Sequence, residues 1–389
     1  MNDFPGVKNI LVIKLRHIGD VLLCVPAIRA LKESFPASRV SVLVNPGTEE
    51  MLTENPLVDE VISLDRGASG LKRLHQVQQA AALRGRRFDM TVDLTGGDRA
   101  AFLGFLTGAR YRLGYDPVGE GFAGKRLLYT HLAERPSIRL HNVLRDLGVL
   151  RSFGVDTNDL RVDIHASQED EAYVQMALEE RGIRPGERYV HIHPVSRWLF
   201  KCWTADGCAH LIDGLSREGF KTVLTSGPAD KERAMIAAIL KVVKSRPVDI
   251  LNALTLKRMS VLSRRAALFF GVDSAPMHIA AAVGTPVAAV FGPSGAFDWG
   301  PWDNKEIGAW FAANKSAPAS GIWSPYPQRN GTQRFGRNLV IQMPWDCAPC
   351  GKDGCNGTKK SRCLDELDPD VVLKAVIAML KGNAQGDLQ

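Results

Sequence analysis

The sequence lacks an apolar run long enough to cross a membrane as a helix. Its best candidate, residues 279–291, is interrupted by Gly284 and Pro286, whereas a spanning helix needs about 20 consecutive apolar residues. Near the N-terminus a short apolar run ends at Lys14, and a secretory signal needs a longer apolar core. The sequence therefore predicts a cytoplasmic protein that does not span a bilayer.

Cysteine is also scarce, with seven in 389 residues. An odd number without an export signal argues against a disulfide framework, and three of them are predicted to pack in cores: Cys24, Cys202 and Cys208. The other four have the spacing C-x2-C-x4-C-x7-C: Cys347, Cys350, Cys355 and Cys363. The first pair matches a zinc ribbon and the second does not, so a structural zinc site and an exposed thiol cluster both stay open, neither with a catalytic role.

Negative charge is scarce in parts of the N-terminal half, although the whole chain carries a formal charge of only +7. Residues 66–87 contain six Lys or Arg and no acid, and residues 110–151 contain eight against four acids. This local excess of positive charge suits the binding of anionic lipid headgroups or of a phosphorylated substrate. Alternatively, it reflects solvated helix faces. Because helix-turn-helix, zinc-finger and aromatic-interleaved basic motifs are missing, nucleic acid is not a predicted partner.

The length predicts two domains, and each half alternates strands with helices in the manner of a parallel, doubly wound sheet. In the first half, strands are predicted at 8–14, 39–44, 60–64, 88–93 and 110–115, and helices at 20–34, 69–84, 98–107 and 137–151. In the second half, strands are predicted at 188–193, 220–225, 266–272 and 286–291, and helices at 204–217, 228–242, 255–264 and 275–283. The join is predicted near 155–168. Residues 293–346, in which Gly, Pro, Asn and Ser recur, are predicted to form a long loop that interrupts this pattern. Asp368 is predicted to cap a final amphipathic helix.

The turn after the first strand ends in Asp20 and lacks the glycine fingerprint of a dinucleotide site. Since Asn45 stands where an acid would bind the ribose, NAD binding is not predicted. The G-x-G-x-x-G at residues 119–124 precedes no helix and is interpreted as a mobile basic loop. Asp20 lies where an open α/β sheet binds ligands, so it is either a helix N-cap or a general base acting on a sugar hydroxyl.

A second candidate site follows a strand of the second half, where GVDSAPMH opens an Ala-rich helix at residues 271–278. The free amides of such a helix start suit a pyrophosphate. Asp273 and Ser274 could instead only cap the helix, and His278 could be a packed core residue.

The loop 194–204 follows the first strand of the second half. A basic side chain in this loop is predicted to face the 273–278 helix start across the same sheet edge. The side chain and the helix start would then bind one pyrophosphate together. His191 and His193 share one face of the strand, and without further spaced ligands a metal site is not favoured there.

Three motifs resemble the bacterial lipopolysaccharide heptosyltransferases, glycosyltransferase family 9. They are LRHIGDVLLCVPAIRALK at 15–32, GVDSAPMHIAAAVGTPVAAVFGPSG at 271–295 and WDCAPCGKDGCNGTKKSRCL at 345–364. The last is most similar to the branch that adds a side-chain heptose to the inner core. The resemblance implies an α/β GT-B fold, with two Rossmann-like doubly wound domains facing across a cleft.

That fold divides the chain into an acceptor-binding domain at 1–160 and an ADP-heptose-binding domain at 161–365. The helix and tail at 366–389 are expected to pack back on the N-terminal domain. The resemblance implies inverting, metal-independent transfer from ADP-L-glycero-D-manno-heptose to a phosphorylated inner-core acceptor. It also implies an enzyme working peripherally on the anionic inner face of the inner membrane, without a cofactor.

Residue by residue, the resemblance implies that Asp20 is the general base, that Lys201 neutralises the donor phosphates, and that Asp273 lies near the heptose. The full set of implied donor-binding residues is Ser196, Lys201, Asp230, Met259, Asp273, Ser274, Ala275, Pro276, Met277 and His278. The loop 303–335 is long for the family. Two alternatives remain: another GT-B nucleotide-sugar enzyme of the epimerase kind, and a non-catalytic nucleotide-sugar-binding protein.

Overall fold

The computed structural model describes residues 4–64, 78, 81–251 and 254–386, with side chains to residue 382. The chain divides into two compact units, Met1–His165 and Ala166–Gln389. The division falls inside the predicted join and a few residues after the predicted boundary at 160. Within the described part of the chain, no helix combines the length and apolar content needed to cross a membrane.

The first unit contains a six-stranded parallel sheet in the order β3-β2-β1-β4-β5-β6. Its strands are β1 (Asn9–Lys14), β2 (Arg39–Val44), β3 (Glu60–Ser63), β4 (Met90–Asp93), β5 (Tyr111–Tyr115) and β6 (His131–Ala133), and β7 (Arg139–Leu140) follows. Its α-helices are Ile18–Leu22, Val25–Ser34, Asp98–Leu106 and Asn142–Arg151. The predicted doubly wound fold is confirmed here, and the helix predicted at 69–84 lies mostly outside the described residues.

Both faces of this sheet are covered, which explains why β1 is apolar throughout rather than alternating. Leu11 and Ile13 pack with Leu103 of the helix Asp98–Leu106 on one face. The helix predicted at 20–34 is in fact two helices. Pro26 lies near the start of the second one, and because proline has no amide hydrogen it cannot continue the ladder of the first.

The second unit contains a seven-stranded sheet in the order β10-β9-β8-β11-β12-β15-β14, parallel except for the β14–β15 pair. Its strands are β8 (Tyr189–His193), β9 (Lys221–Leu224), β10 (Val248–Asp249), β11 (Leu268–Val272), β12 (Val287–Phe291), β14 (Gln333–Phe335) and β15 (Asn338–Gln342), and β13 (Ile322–Trp323) lies before the last two. Its α-helices are Gln168–Glu179, Ala205–Arg217, Asp230–Val242, Leu256–Arg265, Ala275–Ala282, Ala296–Trp299, Ile307–Ala313, Arg362–Asp365 and Pro369–Gly386.

The segment 293–346 is structured, so its prediction as a loop is wrong. It adds β14 and β15 to the sheet edge, and Trp302 and Tyr326 are fully buried in it. The Tyr326 hydroxyl donates to the carbonyl of Pro301 at 2.7 Å. Glycines and prolines punctuate short elements in this segment, and the buried aromatic side chains hold those elements together.

The final helix packs against the core of the second unit. Val372, Val376 and Leu380 belong to the same buried cluster as Leu211 and Leu215 of the helix Ala205–Arg217. The apolar stripe at helical spacing is therefore used to complete this core. The predicted cap is confirmed, since the Asp368 carboxylate accepts the amide hydrogen of Asp370 at 2.9 Å.

Candidate functional site

The first candidate site lies at the carboxyl edge of the sheet in the second unit. Strands β8 and β11 are neighbours, and Gly271 is in register with His193. The loop that follows β8 and the turn that follows β11 therefore start side by side. This is the edge at which open α/β sheets bind ligands.

Lys201 and Asp273 meet at this edge. A short 3-10 turn, Leu199–Lys201, places the Lys201 ammonium 2.6 Å from the Asp273 carboxylate. Asp273 is buried, which by itself would raise its pKa. The charge and hydrogen bond of Lys201, with a further hydrogen bond from Ser294, nevertheless hold the pKa of Asp273 below its usual value. The pair is therefore ionic, and it brings an ammonium group to the start of the next helix.

The helix Ala275–Ala282 begins beside this pair without a side-chain cap. The interpretation of Ser274 as a cap is wrong, because its hydroxyl is buried and has no hydrogen-bond partner in the described part of the chain. Asp273 is engaged by Lys201 instead. The first amides of a helix have no intrahelical partner. Here Pro276 has no amide hydrogen and the Met277 amide donates to the Ser274 carbonyl at 3.1 Å, so this start offers the Ser274 and Ala275 amides and a hydroxyl to an anion.

The residues one turn into this helix are buried. Pro276, Met277 and His278 are all less than a tenth exposed, and the His278 ring lies 6.4 Å from that of Trp299. The positive charge that His278 can carry also lowers the pKa of Asp273. Burial agrees with the interpretation of His278 as a packed residue.

Ser196 and Met259 are buried near the same edge. The Ser196 hydroxyl accepts the amide hydrogen of Trp198 at 3.2 Å, which shapes the loop that carries Lys201. Met259 lies in the helix Leu256–Arg265 and is 4% exposed. Ser196 therefore supports the loop that carries Lys201. Met259 contributes a buried apolar side chain from the helix Leu256–Arg265.

The carboxylate of Asp230 is exposed and pairs with Arg233 on its own helix. The buried acid of this segment is Glu232, whose carboxylate accepts the amide hydrogen of Ala229 at 3.3 Å beside Gly227. Sequence reasoning missed Glu232. Its position three residues after the helix N-cap, typical of a capping box, is the signal that would have found it.

His191 and His193 share one face of β8, as predicted. Both imidazoles contact the Thr225 hydroxyl, at 2.8 and 2.9 Å, and His191 also contacts Ser263 at 2.9 Å. Burial lowers the pKa of both, to about 3 for His193. These are neutral, hydrogen-bonded core histidines beneath the site.

The second candidate site, in the first unit, is built around Asp20. The sheet order changes direction at β1, which lies between β2 and β4. Asp20 is half-buried in the helix Ile18–Leu22, and its carboxylate accepts the amide hydrogen of His17 at 3.3 Å. It is therefore not the N-cap but the third residue of the helix. Within the described residues, one long hydrogen bond leaves most of its accepting capacity unused.

The loop that carries Asp20 is fixed from two sides. Arg16 donates to the carbonyl of Thr95 at 2.8 Å, and Asn45 donates to the carbonyl of Arg16 at 3.0 Å. This loop begins at the end of β1, where the Lys14 ammonium lies 2.6 Å from the Asp146 carboxylate. Both side chains are buried. Burial raises the pKa of Asp146 despite the charge of Lys14. Sequence reasoning missed this pair, because residues so distant in sequence give no local pattern.

Asp93, at the end of β4, is a further buried carboxylate that sequence reasoning missed. It accepts hydrogen bonds from the Tyr129 hydroxyl at 2.6 Å and from the amides of Thr95 and Gly96 at 2.8 and 2.9 Å. Burial raises the pKa of Asp93, although these hydrogen bonds lower it. Nearby, Lys125 donates to the carbonyl of Gly96 at 2.8 Å and anchors the end of the glycine-rich loop.

The cysteines fall into the two predicted groups. Cys24, Cys202 and Cys208 are buried, as predicted. The other four line one small pocket: Cys347, Cys350, Cys355 and Cys363. Burial and the three neighbouring thiols raise the pKa of Cys363 to about 11. No group of three or more His, Cys, Asp or Glu is arranged to hold a metal in the part of the chain described.

Comparison with known proteins identifies the family. Residues 77–326 match glycosyltransferase family 9 (heptosyltransferase). The chain is 32% identical over 332 residues to lipopolysaccharide heptosyltransferase 3 of Escherichia coli K12, covering 84% of this chain and 92% of that protein.

Two solved structures share the fold. A family 9 glycosyltransferase from Veillonella parvula has a TM-score of 0.76 at 21% identity, covering 96% of this chain and 98% of that one. E. coli ADP-heptose lps heptosyltransferase II has a TM-score of 0.68 at 19% identity, covering 97% and 99%. The chain therefore belongs to glycosyltransferase family 9, and it is a glycosyltransferase with the GT-B fold.

Proposed function

We propose that this protein is a lipopolysaccharide heptosyltransferase of type III. It transfers L-glycero-D-manno-heptose from ADP-heptose to a heptose of the phosphorylated inner core, with inversion at the anomeric carbon. The observation that carries the proposal is the Lys201–Asp273 pair beside an uncapped helix start. The 32% identity to heptosyltransferase 3 over most of both chains supports the choice of substrates.

The second unit, with the proposed donor domain at 161–365, binds ADP-heptose. The pyrophosphate accepts hydrogen bonds from the amides of Ser274 and Ala275 and from the buried Ser274 hydroxyl, and Lys201 adds its charge. Asp273 lies near the heptose. Met259 lies beside the adenine, and Ser196 holds the Lys201 loop. The Asp230 carboxylate is exposed, so Glu232 is the better candidate for the ribose hydroxyls.

The first unit, with the proposed acceptor domain at 1–160, supplies the base. Asp20 takes the proton of the attacking heptose hydroxyl while the new bond to the anomeric carbon forms. The bond from that carbon to the ADP oxygen breaks on the opposite side, and the electron pair leaves with ADP. Attack and departure on opposite faces give inversion.

No metal is needed in this scheme. Negative charge that develops on the departing ADP meets the Lys201 ammonium and the amide dipoles of a helix start, which are already in place. Transfer is therefore expected to continue at an unchanged rate in excess chelator. A loss of activity on chelation that added Mg²⁺ restores would contradict this part of the proposal.

The acceptor is lipid-linked, so the enzyme works on the cytoplasmic face of the inner membrane. The basic stretches of the first half suit the phosphates of the inner core and of anionic lipids. Nucleic acid is not a partner.

Mass analysis of lipopolysaccharide tests the proposed reaction. Cells that lack this protein are expected to make a core lighter by one heptose residue. The purified protein should restore that residue in vitro from ADP-heptose. An unchanged core would contradict the proposal, and so would release of free heptose or an epimerised donor. Tight ADP-heptose binding without turnover on any core acceptor would instead identify a binding protein.

A further inference from the structure

The first unit exposes a cluster of large apolar side chains that its own core does not use. Phe102, Phe105 and Leu106 face solvent on the helix Asp98–Leu106, the two phenylalanines 46% and 45% exposed. Leu127, in the following loop region, is 80% exposed. The opposite face of the same helix is buried in the core, so these side chains are surplus to the packing of the helix.

The loop is seated against this helix. The rings of Phe102 and Phe122 stack with centroids 4.7 Å apart, and the Lys125 ammonium lies 3.1 Å from the Asp98 carboxylate. We name this surface the aromatic patch: Phe102, Phe105, Leu106, Phe122 and Leu127. Ring stacking joins the helix to Phe122, and Leu127 lies in the 3-10 turn Lys125–Leu128 that follows. The patch therefore differs from the single exposed apolar residues found on any surface.

Three arginines are associated with the aromatic patch. The Arg112 guanidinium lies 5.4 Å above the Phe105 ring, the Arg84 guanidinium lies against Gly108, and Arg110 is exposed two residues before Arg112 along the chain. No acid occurs in the sequence between Asp98 and Asp116. Among the residues that the structure describes, no carboxylate pairs with Arg84, Arg110 or Arg112. Within the described part of the chain, the positive charge of this arginine rim is therefore not paired with a carboxylate.

We propose that the aromatic patch docks on an anionic bilayer. This inference rests on the proposed function, because an enzyme whose acceptor is lipid-linked must work at a membrane surface. Phenyl rings and leucine side chains enter the boundary between headgroups and acyl chains, and the arginine rim binds lipid phosphates. A second copy of the chain would carry the same positive rim and would repel it, so charge complementarity favours lipid.

Vesicle flotation of the purified full chain tests the docking surface without any lipopolysaccharide. Binding is expected to vesicles of mixed phosphatidylglycerol and phosphatidylethanolamine, and to weaken in high salt. The double variant Phe102→Ser/Phe105→Ser is expected to bind about tenfold more weakly or worse. Arg84→Ser/Arg110→Ser is expected to lose about fivefold per arginine. The matched control is Met176→Ser/Val371→Ser, which removes two exposed apolar side chains from the second unit and should bind as wild type.

Equal binding to pure phosphatidylcholine vesicles would overturn the proposal, as would a phenylalanine double variant that floats like wild type while keeping its melting temperature. A dimer in light scattering that the phenylalanine substitutions dissociate would assign the surface to a second copy instead.

Transfer assays on two acceptors distinguish a failure of the docking surface from a failure of the proposed function. The phenylalanine double variant should keep wild-type transfer to a deacylated, water-soluble core acceptor and lose it on acceptor embedded in vesicles. Vesicle binding without transfer to either acceptor would contradict the proposed function and leave the docking surface standing.

Discussion

At the scale of single residues, the position of Asp20 separates a structural from a chemical role. Its carboxylate accepts one long hydrogen bond, 3.3 Å from the amide of His17. Asp170 provides an internal reference. It is also the third residue of a capping box, where it accepts the amide hydrogen of Ser167 at 3.1 Å, and it pairs with Arg258 as well. Both carboxylates occupy the third position of a capping box. Only Asp20 lies where the strand order of a sheet changes direction.

Replacing Asp20 by Asn should therefore lower kcat by about 10²- to 10⁴-fold, because the amide cannot accept the proton of the acceptor hydroxyl. The KM for ADP-heptose should not change. Steady-state kinetics with a core acceptor check this. The matched Asp170→Asn protein loses an equivalent cap and should keep wild-type kcat. Comparable losses in both variants would show that Asp20 acts only through the helix.

Lys201 is expected to act on the leaving group. Lys201→Met should lower kcat/KM for ADP-heptose by about 10²- to 10³-fold, as removal of one stabilising donor does. It also leaves the Asp273 carboxylate buried without its cation, so the melting temperature should fall. The double variant Lys201→Met/Asp273→Asn should recover stability and remain inactive. Recovery of activity together with stability would reduce the pair to a structural one.

At the scale of elements, β8 places two neutral histidines beneath the donor site. Burial lowers the pKa of His193 from 6.5 to about 3. The unfolded chain therefore binds more protons than the folded chain between these pH values. Stability is fully present above pH 6.5 and falls as the pH is lowered toward 3.

We therefore expect the free energy of unfolding of the second unit to drop by about 2 kcal/mol between pH 7 and pH 5 for each fully buried histidine. Urea unfolding at several pH values measures this drop. His193→Gln should flatten the slope, whereas His165→Gln, at a partly exposed site in the first unit, should not. A pH profile that His193→Gln leaves unaltered would contradict the burial argument.

The final helix gives a second prediction at this scale. Leu380 is buried against the core of the second unit, whereas Val371 in the same helix is half exposed. Leu380→Ala should lower the free energy of unfolding by about 3 kcal/mol, because it leaves a cavity. Val371→Ala should change it by less than about 0.5 kcal/mol. Similar effects of the two substitutions on urea unfolding would contradict the packing described for this helix.

Local patterns predicted most elements, because apolar runs and helical spacing are properties of neighbouring residues. The GVDSAPMH turn and the loop that carries Lys201 could be placed at one sheet edge for the same reason. Lys14–Asp146 and Asp93–Tyr129 could not be predicted, because partners distant in the sequence meet only after folding. Residues 293–346 were mistaken for a loop because buried aromatic side chains, rather than periodicity, define their fold.

At the scale of the whole molecule, the two units carry different chemistry. The first unit combines a half-buried carboxylate, a basic surface and the aromatic patch, which suit a phosphorylated, membrane-linked acceptor. The second unit holds the Lys201–Asp273 pair and a helix start with free amides, which suit a nucleotide diphosphate. We therefore propose that the charge excess of the chain serves the acceptor and the membrane surface more than the donor.

Calorimetric titration of ADP into three proteins tests this division of labour most directly: wild type, Asp20→Asn and Lys201→Met. We predict that Asp20→Asn binds ADP with the wild-type Kd although it no longer transfers heptose. Lys201→Met should bind ADP at least about tenfold more weakly, since it loses a charge-assisted contact to phosphate. Unchanged ADP affinity in Lys201→Met, or lost affinity in Asp20→Asn, would contradict the assignment of donor and base to separate units.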